Sequence, residues 1–135
     1  MKTARSVNEA LDLLGSLDGQ PVEIEGILVI EPEGYELLHY PKAERRATSS
    51  EGEVAFKSSL WLAFGNGSLQ PNHAALARWQ DKRVRVHGVI HTPEMRSVYG
   101  ALGKGGFGLH GFWPAEIECY SIQRVTAEER RENDA

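Results

Sequence analysis

The sequence predicts a mainly β chain: five strands, a helix between the third and fourth, and an extra helix before the first. Three observations carry this. Segments of period-2 alternation bounded by turn residues recur along the 135 residues, which is the signature of half-buried strands. One phrase is written twice, "VEIEGILV" at 22–29 and "VRVHGVIH" at 84–91, each behind a turn-like lead, "LDGQP" and "WQDKR". Only two short stretches show helical spacing. The length suits one domain with one hydrophobic core, expected over 1–125.

Taken in order, "SVNEALDLLG" opens with Ser6 and Glu9 at capping-box spacing, which satisfies two amides at a helix start. Val7, Ala10, Leu11 and Leu14 then form one apolar stripe, and Gly15 suits a C-cap, so a helix is expected over 6–15, packed on the strands. The first strand is "PVEIEGILVI". Val22 and Ile24 point one way, Glu23 and Glu25 the other, and Gly26 interrupts the alternation, as glycine does at a bulge or sharp bend. After "EPEG" comes the second strand, "YELLHY", stopped by Pro41. Residues 42–58 lack a period and read as a long connection, with room for a short strand at "EVAF". The third strand, "SLWLAF", ends at the turn signal "GNG". In "PNHAALARWQ" a proline suits a first helical turn, and Ala75, Leu76 and Trp79 share one face. The fourth strand, "RVRVHGVIH", turns Val84 and Val86 inward and Arg83, Arg85 and His87 outward, with Gly88 in the place of Gly26. A glycine-rich loop over 92–113 leads to the fifth strand, "AEIECYSIQRV". The charged tail 126–135 is expected to be frayed or disordered.

Composition narrows the function classes. The chain carries a net charge of −4, but unevenly: 1–41 hold two bases against eight acids, and 59–113 hold six bases against two acids. An acidic chain is a poor generic nucleic-acid binder, because phosphate neutralisation supplies non-specific affinity. Asn8, Glu9 and Asp12 interrupt any apolar run of signal-peptide kind, and no run reaches the roughly 18 residues that span a bilayer. Cys119 is the single cysteine, expected to face the core beside Ile117. A cytoplasmic location, with no membrane partner, is the expectation.

The order strand, strand, strand, helix, strand, strand, with glycine-bearing strands at positions one and four, resembles the OB-fold, a five-stranded Greek-key barrel. The resemblance covers residues 20–125 and is one of architecture; no specific family is identified. It implies that strands one and four are antiparallel neighbours, and that glycine permits the sharp bend a small barrel demands. Glu23 and Glu25 would then face Arg83 and Arg85 across the ladder, at roughly 0.2–1 kcal/mol per pair. The resemblance also implies a ligand groove formed by strands two and three with the loop between strands four and five. Tyr35, His39, Tyr40 and Trp61 are assigned to that face, and Arg96, Tyr99, Lys104, Phe107 and His110 to that loop.

No motif carries catalysis. "GKGGFG" at 103–108 has the glycine spacing of a dinucleotide fingerprint but precedes "LHGFWP", which cannot open the required helix, and Lys104 is not followed by Ser or Thr as a P-loop needs. His87 and His91 lie about 13 Å apart on a strand, too far to share a metal. No enzyme activity, cofactor or metal is expected. Aromatics interleaved with bases suit base stacking, while Phe112 and Trp113 suit anchoring of the loop. Two functions remain: a module that binds a protein partner, as an inhibitor, an immunity-type protein or an accessory subunit, and, as the alternative, a binder of single-stranded nucleic acid. The acidic first third favours the protein partner.

Overall fold

The computed structural model describes residues 4–31, 34–46, 49–51, 54–56, 58–64, 72–92 and 113–125. Its central element is the long strand β2 (Pro21–Glu31), whose Val22, Ile24 and Leu28 are buried while Glu23, Ile27 and Val29 turn outward. The first part of β2 pairs antiparallel with β7 (Arg83–His91), from Pro21↔Val89 to Ile27↔Arg83. Its last part pairs antiparallel with β3 (Gly34–Leu38), from Ile27↔Leu38 to Glu31↔Gly34. β3 continues to β6 (Leu60–Ala63), β6 runs parallel to β8 (Glu116–Arg124), and β8 returns antiparallel to β7. Hydrogen bonding therefore passes around a complete ring of five strands. The order is OB-like, with the first and fourth of these strands as antiparallel neighbours.

The main sheet has six strands rather than the five expected. The addition is β1 (Arg5–Ser6), parallel to β2 at Ile24 and Glu25. This edge of β2 is vacant there because β3 joins it only from Ile27 onward. Two residues have no period, so alternation could not reveal β1. Within the long connection, β4 (Ser49–Glu51) and β5 (Val54–Phe56) form a separate antiparallel pair.

Among the described residues, three short α-helices cover the ring. α1 (Val7–Asp12) carries the expected capping box on Ser6 and Glu9 and buries Val7 and Ala10 completely. It stops at Leu13, and Gly15 lies inside a second helix, α2 (Leu14–Leu17), instead of capping the first. Leu14 and Leu17 pack against the core, which favours re-entry into helix over a glycine stop. α3 (His73–Ala77) is capped by the Asn72 side chain and buries Leu76. The tail from 126 and most of the 92–113 loop fall outside the described residues.

The repeated phrase acquires a geometric meaning. Ile24 lies opposite Val86, Val22 opposite Gly88 and Gly26 opposite Val84, so the two copies are related by a local twofold about the Ile24–Val86 pair. The relation extends into the turn-like leads. Gly19 N–H donates to the Ile90 carbonyl and Asp81 N–H to that of Leu28, while Ile90 N–H donates to Gln20 and Leu28 N–H to Lys82. Gly19 and Asp81 occupy equivalent places, and both are left-handed, at φ 75° and 65°.

At Gly26 and Gly88 the reason for glycine is close approach. A Cβ on Gly26 would lie 2.5 Å from the Leu38 carbonyl oxygen, and one on Gly88 would lie 2.1 Å from that of Glu118. Neither residue has positive φ, so the constraint is steric exclusion by the adjoining strand. Opposite Gly88, β8 carries a bulge: Gly88 pairs with Cys119 but His87 with Ser121, which leaves Tyr120 as the extra residue. Inside the ring, Ile24, Leu28, Leu37, Leu60, Val84, Val86, Ile90, Ile117 and Cys119 are fully buried. Burial pushes the Cys119 thiol up to about 12, which removes thiolate chemistry from that residue.

Candidate functional site

Two polar clusters lie on the outside of the ring. The first straddles β2 and β7. Alternation turns Glu23 and Glu25 outward from one strand and Arg83, Arg85 and His87 outward from the other. Arg83 Nε lies 3.2 Å from Glu25, Arg85 lies 3.3 Å from Glu23 and 3.4 Å from Glu25, and His87 lies 3.3 Å from Glu23. The pairing expected from the sequence is present, with His87 added. Arg83 and Glu25 are both almost fully buried, because the Tyr40 ring covers the guanidinium at 4.2 Å. Arg5, Ser6, Glu25, Tyr40 and Arg83 together line a small recess.

The second cluster lies on the outward face of β3 and β6. Glu36, opposite Trp61 in the ladder, is buried although it faces away from the core. Its Oε2 accepts from the Ser59 hydroxyl at 2.7 Å and from Trp113 Nε1–H at 2.8 Å. The Trp113 and Trp61 rings meet at 4.5 Å, tilted by 51°. Gly34 makes space for this pair, since a Cβ there would lie 2.4 Å from Trp61 Cζ2. A buried carboxylate requires such donors. Their effect is to fasten Trp113, the residue at the end of the glycine-rich loop, onto the sheet.

The four described residues expected in one groove are not gathered on one face. Tyr35 points into the core, edge-on to Phe64 at 5.2 Å, with its hydroxyl bonded to His73 Nδ1 and its ring stacked on the His73 ring. Burial raises the Tyr35 hydroxyl above its ordinary value. Trp61 points outward and is covered by Trp113. His39 is buried against α1, and Tyr40 lies over Arg83 on the β2–β7 side. The phase of the strands explains the division: Tyr35 and His39 have the parity of the inward Leu37, and Trp61 lies between the inward Leu60 and Leu62. Arg96, Tyr99, Lys104, Phe107 and His110 lie outside the described residues. Sequence reasoning missed Glu36 and Ser59, because the Trp113 contact that completes their cluster comes from 77 residues along the chain. It also missed Tyr120, which the bulge leaves 49% exposed.

Among the described residues, no group of three or more His, Cys, Asp and Glu side chains could hold a metal ion. No described helix is long and apolar enough to cross a membrane. What the clusters can do is electrostatic and structural: one neutralises a basic row, and the other anchors a loop.

No family model matches the chain, and no curated protein matches it. Among solved structures it is similar to OBody AM2EP06 bound to hen egg-white lysozyme, with 16% identity and a TM-score of 0.47, covering 93% of this chain and 95% of that one. It is also similar to OBody AM3L15 bound to hen egg-white lysozyme, with 13% identity and a TM-score of 0.48, covering 93% and 96%. The OB-like assignment rests on this chain's own strand order and closure.

Proposed function

We propose that the protein is a non-enzymatic binding module that acts through a protein partner, as an inhibitor, an immunity-type protein or an accessory subunit, in the cytoplasm. One observation carries the reading. Arg83 and Arg85, the outward basic row that a nucleic-acid strand would need, are 3.2–3.4 Å from Glu25 and Glu23. Cations neutralised within the fold release no counterions on binding a phosphate backbone, and counterion release is the main source of such affinity. The aromatic rings of the expected groove support the same reading: Tyr35 and Trp61 are packed and present no open face for a base. A protein interface needs neither feature. It draws on aromatic anchors with a polar rim, which exposed Tyr120 and the loop residues Tyr99 and Phe107 supply in this proposal.

The test is a titration with fluorescent single-stranded oligonucleotides at low and physiological salt, run beside affinity capture with the wild type and with Tyr99→Ala/Phe107→Ala. The expected result is weak or absent oligonucleotide binding, and a captured protein that the double variant retains less well. Sub-micromolar, salt-sensitive oligonucleotide binding that is lost in Tyr99→Ala would replace this reading with the nucleic-acid one.

A further inference from the structure

We propose that His39 is an acid-sensitive latch holding the N-terminal segment, β1 with α1, against the strand ring. His39 is buried, and its Nδ1 accepts the Asn8 backbone N–H at 3.1 Å. Asn8 is the second residue of α1, so this amide is one of those that no helical carbonyl can satisfy. Ser6 caps the next amide, that of Glu9, and His39 caps this one from 31 residues away. An imidazole nitrogen that accepts must be unprotonated, so the single ring proton is on Nε2, which lies 3.5 Å from Glu44 Oε1. Adding a proton to Nδ1 sets donor against donor and places a cation among the first amides of a helix.

The surrounding charges leave this balance in place. Glu44 attracts the protonated ring, but it is 67% exposed and its pull is screened by water. Arg45, whose Nε donates to the His39 carbonyl, and Arg46 both oppose the cation. From α1, Glu9 is engaged in the capping box and Asp12 is bound by Arg46 through two hydrogen bonds. Burial, the largest influence, holds the imidazole below its ordinary value. The Arg46 guanidinium holds the Asp12 carboxyl below the usual carboxylate range, so that clamp stays charged in mild acid. Asn8 Nδ2–H to the Glu44 carbonyl does not titrate. Acid sensitivity at this contact therefore falls on His39.

The sign follows from linkage. A histidine neutral in the docked state takes up a proton more readily once released. Docking is therefore fully favoured above the ordinary histidine value of about 6.5 and weakens as pH falls from there toward the lower docked value. One proton gives at most a tenfold change in the opening equilibrium per pH unit, roughly. Opening uncovers Val7 and Ala10, both fully buried, and the edge of β2 at Ile24 and Glu25.

Amide hydrogen exchange over residues 4–17, corrected for intrinsic rates between about pH 7.5 and 5, tests this. Wild type should open progressively more in acid, approaching that tenfold slope. His39→Asn keeps an acceptor oxygen near the position of Nδ1 without a titrating ring, and its exchange should be independent of pH. Nitrogen-15 NMR of wild type should show His39 still as the neutral Nε2–H tautomer below the ordinary histidine value of about 6.5. Equal acid opening in wild type and His39→Asn overturns the proposal. If His39→Asn does not fold, wild type alone decides: His39 titrating at or above the ordinary histidine value of about 6.5, without a change in exchange, also overturns it.

Discussion

β2 and β7 carry the same phrase but have different neighbours. Each follows a left-handed residue, Gly19 or Asp81, and each has a glycine four residues beyond its first buried valine. β7 keeps β2 on one side and β8 on the other along nearly its whole length. β2 changes partner midway, with β1 beside Ile24 and Glu25 and β3 beyond Ile27. Gly26 thus admits the end of β3, whereas Gly88 admits the middle of a bulged strand. The motif encodes a pairing geometry and a close approach. What approaches is decided by the rest of the chain, and the charges decide which copy is which.

The comparison is broken most severely at its buried ion pair. Glu25→Ala strands Arg83, 6% exposed, without its 3.2 Å carboxylate. Loss of one partner from a buried pair costs about 3–5 kcal/mol, and Glu25→Leu with Arg83→Met should recover most of it. Urea melts of wild type, Glu25→Ala and the double variant measure both effects, and equal stability of all three would show that the pair is not desolvated.

Next come the glycines. Gly88→Ala and Gly26→Ala should each cost about 1–3 kcal/mol through overpacking. Gly88 should be the worse, because its 2.1 Å obstacle is the backbone of a strand paired on both sides, against 2.5 Å at the free end of β3. Urea midpoints in the reverse order would mean that β3, not β8, is the rigid neighbour. The smallest effect tests the charge difference. Arg85→Glu should destabilise modestly, and adding Glu23→Arg should restore roughly 0.2–1 kcal/mol in a double-mutant cycle. Strict additivity would deny the 3.3 Å contact any energetic weight.

Strand order, the inward valines and the Glu–Arg facing were legible because alternation and complementary charge are local signals that survive into the fold. β1 was not legible: two residues acquire strand character only from the vacant edge of β2. The C-terminal stop of α1 was misplaced because Leu14 and Leu17 gain more from packing than Gly15 gains as a cap. Tyr35 was assigned to a groove by its chemistry, although its parity with Leu37 already placed it inside. The Glu36 cluster depends on Trp113, 77 residues away, and no short pattern reports such a contact.

The change of partner along β2 also sets how the chain can assemble. Its contact with β3 joins residues as near in sequence as Glu31 and Gly34, whereas its contact with β7 joins Pro21 to Val89. Loop-closure entropy grows slowly with length but is met before any long-range contact returns energy. One strand therefore belongs both to a local hairpin and to the seam that completes the ring. Conformational search is concentrated in that seam, and the matched twofold phrase gives it a single register in which two glycines, two carboxylates and two guanidinium groups all find their places together.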